Sequence, residues 1–318
     1  MILIAPTAFK GTIAASTAAQ AMAAGAQAVT SESLIIQPLS DGGPGLIDAL
    51  QTRGGSIHQT TVRAPLGNQV RARILVQPNT AIIESADACG LHLVPKEQRD
   101  PTQLDTYGVG QLLRAASELP VERIVIGLGG SATVDGGVGM ASALERDPIP
   151  QRITALADVN TRLRDAARIF GPQKGATDAQ VQLLEAALAK LVEMTGVPDF
   201  PGAGAAGGLA YGLHAFLQAE VVSGSTWVMD VTGVVETMRS ARAVVTGEGA
   251  YDEQSFMGKI TGTLVERAGE HGIPVLVITG SAAALDGYAR VATNEGAPLT
   301  ERDIERLVRE HLPALLGS

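Results

Sequence analysis

Short apolar runs alternate with helix-forming segments at the start of the chain, and this alternation constrains the fold more than any other feature. Apolar runs at residues 2–5 and 34–38 flank an alanine-rich helical segment at residues 14–28, and residues 57–63 alternate in the manner of a third strand. Alternating strands and helices are typical of a parallel sheet with right-handed crossover connections. The sequence therefore predicts an α/β fold that begins with a parallel sheet.

The C-terminal part of the chain repeats this order. A predicted strand at residues 243–246 is followed by a glycine-rich loop, a helix near residues 263–271 and another strand at 274–279. We predict that both ends of the chain build one Rossmann-like α/β domain, residues 1–63 and 238–318.

The middle of the chain predicts a second α/β domain, residues 64–237, inserted into the first. A turn cluster at residues 64–69 precedes a β-like run, and Arg123–Gly127 has the apolar composition of a buried strand. Two helices of the chain are predicted from their N-terminal caps. The cap pairs are Thr177 with Gln180, and Thr300 with Asp303.

Composition and charge exclude several classes of protein. Hydrophobic residues make up 45% of the 318 residues and charged residues 18%, which is enough apolar material for a sizeable core. The 24 Lys and Arg residues against 33 Asp and Glu residues give a net charge of −9. Because phosphate backbones repel such a surface, nucleic acid is excluded as the main partner, whereas a small phosphorylated ligand is not.

Cysteine content and hydropathy predict the compartment. The single Cys89 cannot form an intramolecular disulfide, and its small apolar neighbours predict a buried, inert thiol. No basic residue precedes the apolar N-terminus, and residues 201–217 are too rich in Gly and Ala for a spanning helix. We expect a soluble cytoplasmic protein without a membrane partner.

Polar and glycine-rich turns follow three of the predicted strands, at residues 6–11, 40–43 and 246–252. Ligands of parallel sheets bind beyond the carboxyl ends of the strands. The three turns are therefore expected to bring charged side chains around one crevice, although such turns also occur without any ligand. The charged residues are Lys10, Asp41, Glu248 and Asp252.

A glycine-rich loop at residues 127–137 follows the predicted strand Arg123–Gly127. Its first six residues match the dinucleotide pattern G-x-G-x-x-A, but residues 135–137 are expected to continue the loop instead of opening a helix. Backbone N–H groups of such a loop can bind phosphate or carboxylate, and a tight structural turn is the alternative. Lys174 precedes a predicted helix, where it either binds an anion together with the helix end or is a solvated surface lysine.

Other chemistries are excluded by missing motifs. The chain has no G-x-x-x-x-G-K-[ST] phosphate loop and no G-x-S-x-G nucleophile motif. Its five histidines, His58, His92, His214, His271 and His311, show no metal-binding spacing.

Taken together, the motifs resemble the bacterial type I glycerate kinase family, of which the chain looks like a divergent member. The match runs in order along almost the whole chain, which makes it specific although each motif alone is weak. The matching segments are IAPTAFKG (4–11), SDGG (40–43), GLGGSATVDGG (127–137), FGPQKGA (170–176), PGAGAAGG (201–208), TGEGAYDEQSFMGK (246–259) and IPVLVITG (273–280).

The resemblance implies two α/β domains, one inserted in the other, with the active site in the cleft between them. It implies phosphorylation of glycerate with ATP and Mg²⁺, usually to 2-phosphoglycerate. The expected partners are a glycerate-like hydroxy acid and a nucleotide, and a homodimer is left open.

Candidate roles follow from the family match and from the needs of phosphoryl transfer, which are positioning and charge neutralisation. Asp41 is the candidate acceptor of the hydroxyl proton, and Asp158 and Asp252 are candidate Mg²⁺ ligands, with Asp135 and Glu248 as further carboxylates for the metal. The catalytic set is Asp41, Lys10 and Asp135. The set for substrate or phosphate is Gly42, Gly43, Gly129, Gly130, Ser131, Lys174, Glu248 and Lys259.

The chain departs from the family pattern at several polar positions. These are Thr7 and Ala8 in place of Asp-Ser, Pro44 in place of Glu, Val134 in place of Asn, and Ala250 in place of Arg. Two alternatives to an active kinase therefore remain open. One is a degenerate paralogue that binds ligand without turnover, and the other is a nicotinamide-dependent oxidoreductase, based on the G-x-G-x-x-A match.

Overall fold

The computed structural model describes residues 1–9, 12–144, 149–256, 259–283, 289–294 and 298–317. The strands are, in chain order, β1 (Ile2–Ile4), β2 (Leu34–Ile36), β3 (Ser56–Arg63), β4 (Gln69–Gln77), β5 (Thr80–Glu84), β6 (Arg123–Gly127), β7 (Arg152–Leu156), β8 (Glu220–Val222), β9 (Ala243–Tyr251), β10 (Val275–Ala282) and β11 (Ala289–Thr293). The α-helices are α1 (Ala15–Gln27), α2 (Leu46–Gln51), α3 (Ala86–Cys89), α4 (Tyr107–Ser117), α5 (Val138–Leu144), α6 (Leu163–Phe170), α7 (Asp178–Thr195), α8 (Ala205–Leu217), α9 (Gly224–Thr232), α10 (Val234–Arg239), α11 (Ile260–Glu270) and α12 (Glu301–Leu316).

The chain divides into two compact units. The terminal unit contains residues 1–41, 48–53 and 225–318, and the central unit contains residues 42–47 and 54–224. The predicted domain limits at 63/64 and 237/238 stay predictions.

The terminal unit is built on a five-stranded parallel sheet in the order β11-β10-β9-β1-β2. Its central strand β1 is fully buried because all three of its side chains are apolar and both faces of the sheet are covered. Helices α1 and α12 pack together and contribute apolar residues to its core, including Met22 and Leu307. The predicted α/β class is thus confirmed, with strands from both ends of the chain in one parallel sheet.

The central unit contains a six-stranded mixed sheet in the order β3-β4-β5-β6-β7-β8. Strands β5 to β8 are parallel, whereas β3 and β4 pair antiparallel over the whole length of β3. The prediction that residues 57–63 form the third strand of the first sheet is therefore wrong. The turn of residues 64–68, closed by the bond from Ala64 N to Asn68 O (2.7 Å), reverses the chain into a hairpin.

Both predicted helix caps are confirmed as reciprocal capping boxes. The Thr177 side chain accepts from Gln180 N at the start of α7, and the Thr300 side chain accepts from Asp303 N at the start of α12. In each pair the later side chain also accepts from the backbone N–H of the threonine, so two donors of the first turn are satisfied. Among the described residues, none of the helices is both long and apolar enough to cross a bilayer.

The packing of α1 on α12 depends on the missing side chain of Gly25. A Cβ at this position would lie 2.4 Å from the carbonyl oxygen of Glu305 and 3.0 Å from Val308 Cβ. Replacing Gly by Ala inside an unconstrained helix stabilises it by about 1 kcal/mol. Here we expect Gly25→Ala to lower the free energy of unfolding by about 1–3 kcal/mol, because the helices must separate.

Urea denaturation of Gly25→Ala and wild type tests this expectation. Gln20→Ala, at an exposed position of α1, is the matched control and should shift the free energy of unfolding by less than about 0.5 kcal/mol. A Gly25→Ala protein more stable than wild type would contradict the tight contact.

Candidate active site

In the terminal unit the turn after β1 is hydrogen-bonded to β9, which continues to Tyr251, so the prediction of a turn at residues 246–251 is wrong. Both the backbone N–H and the hydroxyl of Thr7 donate to Gly247 O, at 2.9 and 3.1 Å. The turn after β2 joins them, since Leu39 N donates to Pro6 O. A Cβ on Gly247 would lie 2.3 Å from Ile278 O, so this position requires glycine. The motifs at residues 4–9, 40–41 and 246–252 therefore lie at one edge of the sheet.

Several candidate residues of the terminal unit lie at or near this edge. Glu248 is a largely buried residue of β9, and Asp41 is partly exposed at the end of the turn after β2. Asp252 directly follows β9, and its backbone N–H donates to Ser255 Oγ. Lys259 is the N-cap residue of α11. Lys10 lies outside the described residues.

Tyr251, between Glu248 and Asp252, is buried. Burial raises the pKa of its hydroxyl to about 12, and the neighbouring charge of Glu248 acts in the same direction. The phenol therefore stays protonated at neutral pH.

The loop of residues 128–137, called here the glycine loop, lies in the central unit between β6 and α5. Residues 135–137 continue the loop, as expected, and helix α5 begins only at Val138. Four glycines of the loop have positive φ, which L side chains rarely adopt. They are Gly129 (156°), Gly130 (60°), Gly136 (64°) and Gly137 (81°).

Residues 42–47 begin with the two glycines of the SDGG motif and are called here the SDGG segment. They pack against the glycine loop. A Cβ on Gly127 would lie 2.5 Å from Gly42 O, and one on Gly129 would lie 3.1 Å from Pro44 Cδ. The Cα of the candidate residue Gly43 would lie 3.3 Å from the same methyl position, the Cβ on Gly129. The absence of side chains is therefore what lets two glycine motifs, far apart in sequence, meet in the central unit.

Lys174 is buried, with 3% of its surface exposed, and is neither a surface lysine nor an isolated cation at a helix end. It ends a short 3₁₀ turn before α7, and its Nζ donates to Ser131 Oγ and to Thr133 O, both at 2.8 Å. Burial lowers the pKa of its ammonium to about 8, while the nearby charge of Asp135 opposes the shift. The lysine thus fixes the middle of the glycine loop, and its contact with an anion stays a prediction.

Asp135 fixes the end of the glycine loop. Its carboxylate accepts from Thr106 N (2.9 Å), Thr106 Oγ1 (2.8 Å), Gly137 N (3.2 Å) and Gly139 N (3.0 Å). Burial raises the pKa of this carboxyl, and the hydrogen bonds from Thr106 counteract the rise. Because the Asp135 carboxylate already accepts from four donors, the geometry supports a role in holding α4 and α5 together. Its catalytic role stays a prediction.

The glycine loop is also joined to the segment around Cys89. Ala132 N donates to Cys89 O, and Leu91 N donates to Gly130 O. The cysteine is buried as expected, and burial raises the pKa of its thiol to about 12. It is therefore protonated at neutral pH.

Asp158 follows β7 at the carboxyl edge of the central sheet. Ser223, which follows β8, donates to its Oδ1 at 3.2 Å. Because β5 to β8 run parallel, Glu84, the glycine loop, Asp158 and Ser223 all lie beyond the same strand ends. No group of three or more His, Cys, Asp or Glu side chains in the described part of the chain could hold a metal ion by itself.

Glu84 is a residue that the sequence analysis missed. It ends β5, is 2% exposed, and accepts from Gly45 N (3.1 Å) and Ile47 N (2.8 Å) of the SDGG segment. Burial raises the pKa of its carboxyl to about 7. A signal was present in the sequence, because a carboxylate directly after the apolar run at residues 81–83 is unusual for a buried strand.

The buried ammonium of Lys174 makes stability depend on pH. Between pH 8 and 10.5 the unfolded chain holds a proton that folded Lys174 has lost, so the stability due to this residue rises with pH. Relative to Lys174→Met, the free energy of unfolding of the wild type should rise by about 3 kcal/mol across this interval. Urea denaturation at a series of pH values measures the difference.

Lys190→Met, which removes an exposed ammonium from α7, controls for the loss of one positive charge. A wild-type stability that does not rise relative to Lys174→Met over the same interval would contradict the burial of the ammonium.

The comparisons with known proteins agree with the motif series. The model of the glycerate kinase family matches residues 2–149 and 146–302. A glycerate kinase of Halalkalibacterium halodurans is 38% identical, over 88% of this chain and 85% of the relative. A glycerate 2-kinase of Escherichia coli is 36% identical, with the same coverage of each chain.

A solved structure agrees as well. A crystal structure from Salmonella typhimurium LT2, of a protein assigned as glycerate kinase 2, superposes with a TM-score of 0.83 and 30% identity, covering 99% of this chain and 98% of the other. The expected family is confirmed, because its model matches nearly the whole chain. The chain belongs to the glycerate kinase family and is, by class, a phosphotransferase.

Proposed function

We propose that this protein transfers the γ-phosphoryl group of ATP to a hydroxyl of glycerate or of a closely related small hydroxy acid. The observation that carries the proposal is the match of the glycerate kinase family along nearly the whole chain. Relatives named glycerate kinase, at 36–38% identity, support the same substrate class. The expected position of the active site in an interdomain cleft stays a prediction.

The candidate residues of the two units fit phosphoryl transfer. Such a reaction needs the reacting groups to be positioned and the developing charge to be neutralised. Asp41 is the proposed acceptor of the hydroxyl proton, and Lys10 and Lys259 are the proposed ligands of the phosphoryl groups. The backbone N–H groups of Gly129 and Gly130 belong to a loop of the kind that binds anions.

The donor chemistry of the chain also fits Mg²⁺. This ion takes one or two protein carboxylates and completes its coordination with water and phosphate oxygens, so no preformed cage is needed. Asp158 and Asp252 would hold it, with Glu248 as a further carboxylate. When bound, Mg²⁺ neutralises charge on the phosphoryl oxygens.

Three of the departures from the family pattern are built into the packing of the fold. Val134 is 1% exposed and belongs to an apolar cluster that includes Leu163 and Leu188. Thr7 bonds to Gly247 O, and Pro44 contacts the glycine loop. These changes therefore accompany an intact fold, and a substrate related to glycerate is compatible with them.

The two alternatives differ in their support. The degenerate paralogue keeps the same sites and predicts nucleotide binding without turnover. In the nicotinamide alternative, a helix should open within the G-x-G-x-x-A segment, whereas α5 begins eleven residues after Gly127. This geometry gives the nicotinamide alternative no support.

A coupled assay of ADP release with Mg-ATP, run over glycerate and related hydroxy acids, tests the proposal. Substrate-dependent turnover that stops when EDTA removes the metal is the expected result. Nucleotide binding by calorimetry without turnover on any of these acids would favour the degenerate paralogue. Binding of NAD or NADP in place of ATP would favour the oxidoreductase.

Asp41→Asn should lower kcat on the best substrate by about 10²–10⁴-fold, because an amide cannot accept the hydroxyl proton. Asp230→Asn, which neutralises an exposed carboxylate on α9, is the control and should leave kcat within about twofold. Circular dichroism of both variants checks that the fold is retained. An Asp41→Asn enzyme with wild-type kcat would remove Asp41 from the proposed mechanism.

A further inference from the structure

We infer that Glu84 is a positioning residue for this reaction, and that its buried carboxylate fixes the backbone of the SDGG segment directly after Asp41. The inference rests on the proposed function. It assigns Glu84 no contact with substrate, so the residue acts through the segment that it holds.

The contacts of Glu84 are directed at one short stretch of backbone. Its Oε2 accepts from Gly45 N at 3.1 Å and its Oε1 accepts from Ile47 N at 2.8 Å, so both carboxylate oxygens bind the SDGG segment. Gly45 and Ile47 lie at the start of α2, where backbone N–H groups have no acceptor within the helix. Glu84 supplies those acceptors from a neighbouring strand of the sheet.

The same segment rests on the glycine loop. The Gly42 carbonyl, the Gly43 Cα and the Pro44 ring occupy the space that side chains at Gly127 and Gly129 would fill. A Cβ on Gly42 would also lie 2.8 Å from Gly224 Cα and 3.0 Å from Leu156 Cβ. The segment is thus closely enclosed, and Glu84 accepts hydrogen bonds from two of its backbone N–H groups.

Stability alone does not explain a carboxylate here. Removing a carboxylate from water is costly, and an apolar side chain of similar size often serves a core better. The raised pKa of Glu84 reflects that cost. The negative charge of Asp87 on α3 raises the pKa further, and the positive charge of Arg73 on β4 lowers it. Asp87 and Arg73 also bind each other at 3.1 Å, so neither is a dedicated partner of Glu84.

The consequence for the reaction follows from geometry. Asp41 is bonded directly to Gly42, so the position of the SDGG segment fixes the position of the carbonyl end of Asp41. A proton acceptor must lie within hydrogen-bond distance of the hydroxyl that it serves, and misplacement by about 1 Å costs roughly 10²-fold in rate. Loosening the segment should therefore lower kcat more than it raises the KM for ATP.

Glu84→Gln is the sharpest variant. It keeps the shape of the side chain and one acceptor oxygen, but its NH₂ group faces a backbone N–H that needs an acceptor. Asp199→Asn is the matched control, because Asp199 also accepts from two backbone N–H groups at a helix start, Leu163 N and Arg164 N of α6. Glu84→Asp, whose shorter carboxylate withdraws from both donors, is the second variant should Glu84→Gln fail to fold.

The first measurement is amide hydrogen exchange, which needs no substrate. Glu84→Gln should accelerate exchange in peptides that cover residues 42–47 by about tenfold or more, and leave peptides from α7 at the wild-type rate. Asp199→Asn should leave the SDGG segment unchanged. Unchanged exchange in residues 42–47 of a folded Glu84→Gln protein would overturn the inference.

The second measurement is steady-state kinetics. We expect Glu84→Gln to lower kcat by about 10–100-fold, with a KM for ATP within about twofold of wild type. Asp199→Asn should retain kcat within about threefold. A folded Glu84→Gln enzyme with wild-type kcat would overturn the inference and leave the proposed function intact.

A wild type without turnover on any hydroxy acid would overturn the proposed function, together with the catalytic consequence assigned to Glu84. The exchange measurement still separates the two failures, because it reports directly on whether Glu84 holds the segment.

Discussion

The position of the glycine loop depends on two ionisable side chains, Lys174 from outside the loop and Asp135 within it. Lys174 binds its middle through Ser131 and the Thr133 carbonyl, and Asp135 ties its end to Thr106. Burial shifts the pKa of both ionisable groups toward their neutral forms. Their opposite charges offset part of that cost.

Each unit presents its candidate residues beyond the carboxyl ends of parallel strands. In the terminal unit the turn after β1 is hydrogen-bonded both to β9 and to the turn after β2, and in the central unit the residues after β5 to β8 share one edge. Parallel strands bring their ends together whatever the sequence distance between them. Several family motifs that are scattered along the chain are thereby brought together at the carboxyl ends of two sheets.

The departures from the family pattern are informative when the packing is considered. A polar residue in place of Val134 would enter an apolar cluster, and an unpaired polar group there costs about 1–3 kcal/mol. The charged candidates are retained beside these changed positions. That combination agrees with the proposed kinase acting on a substrate related to glycerate.

The sequence alone determined the α/β class, the family, the helix caps and the glycine motifs, because these depend on local periodicity, turn chemistry and the order of motifs. It did not determine the partner of β3, since an alternating strand pairs equally well in either sheet and the hairpin turn decides. Nor did it show that Lys174 is buried or that Glu84 binds the SDGG segment. Burial and hydrogen bonding between residues 37 to 43 positions apart depend on how strands and loops are brought together, so only the tertiary structure decided them.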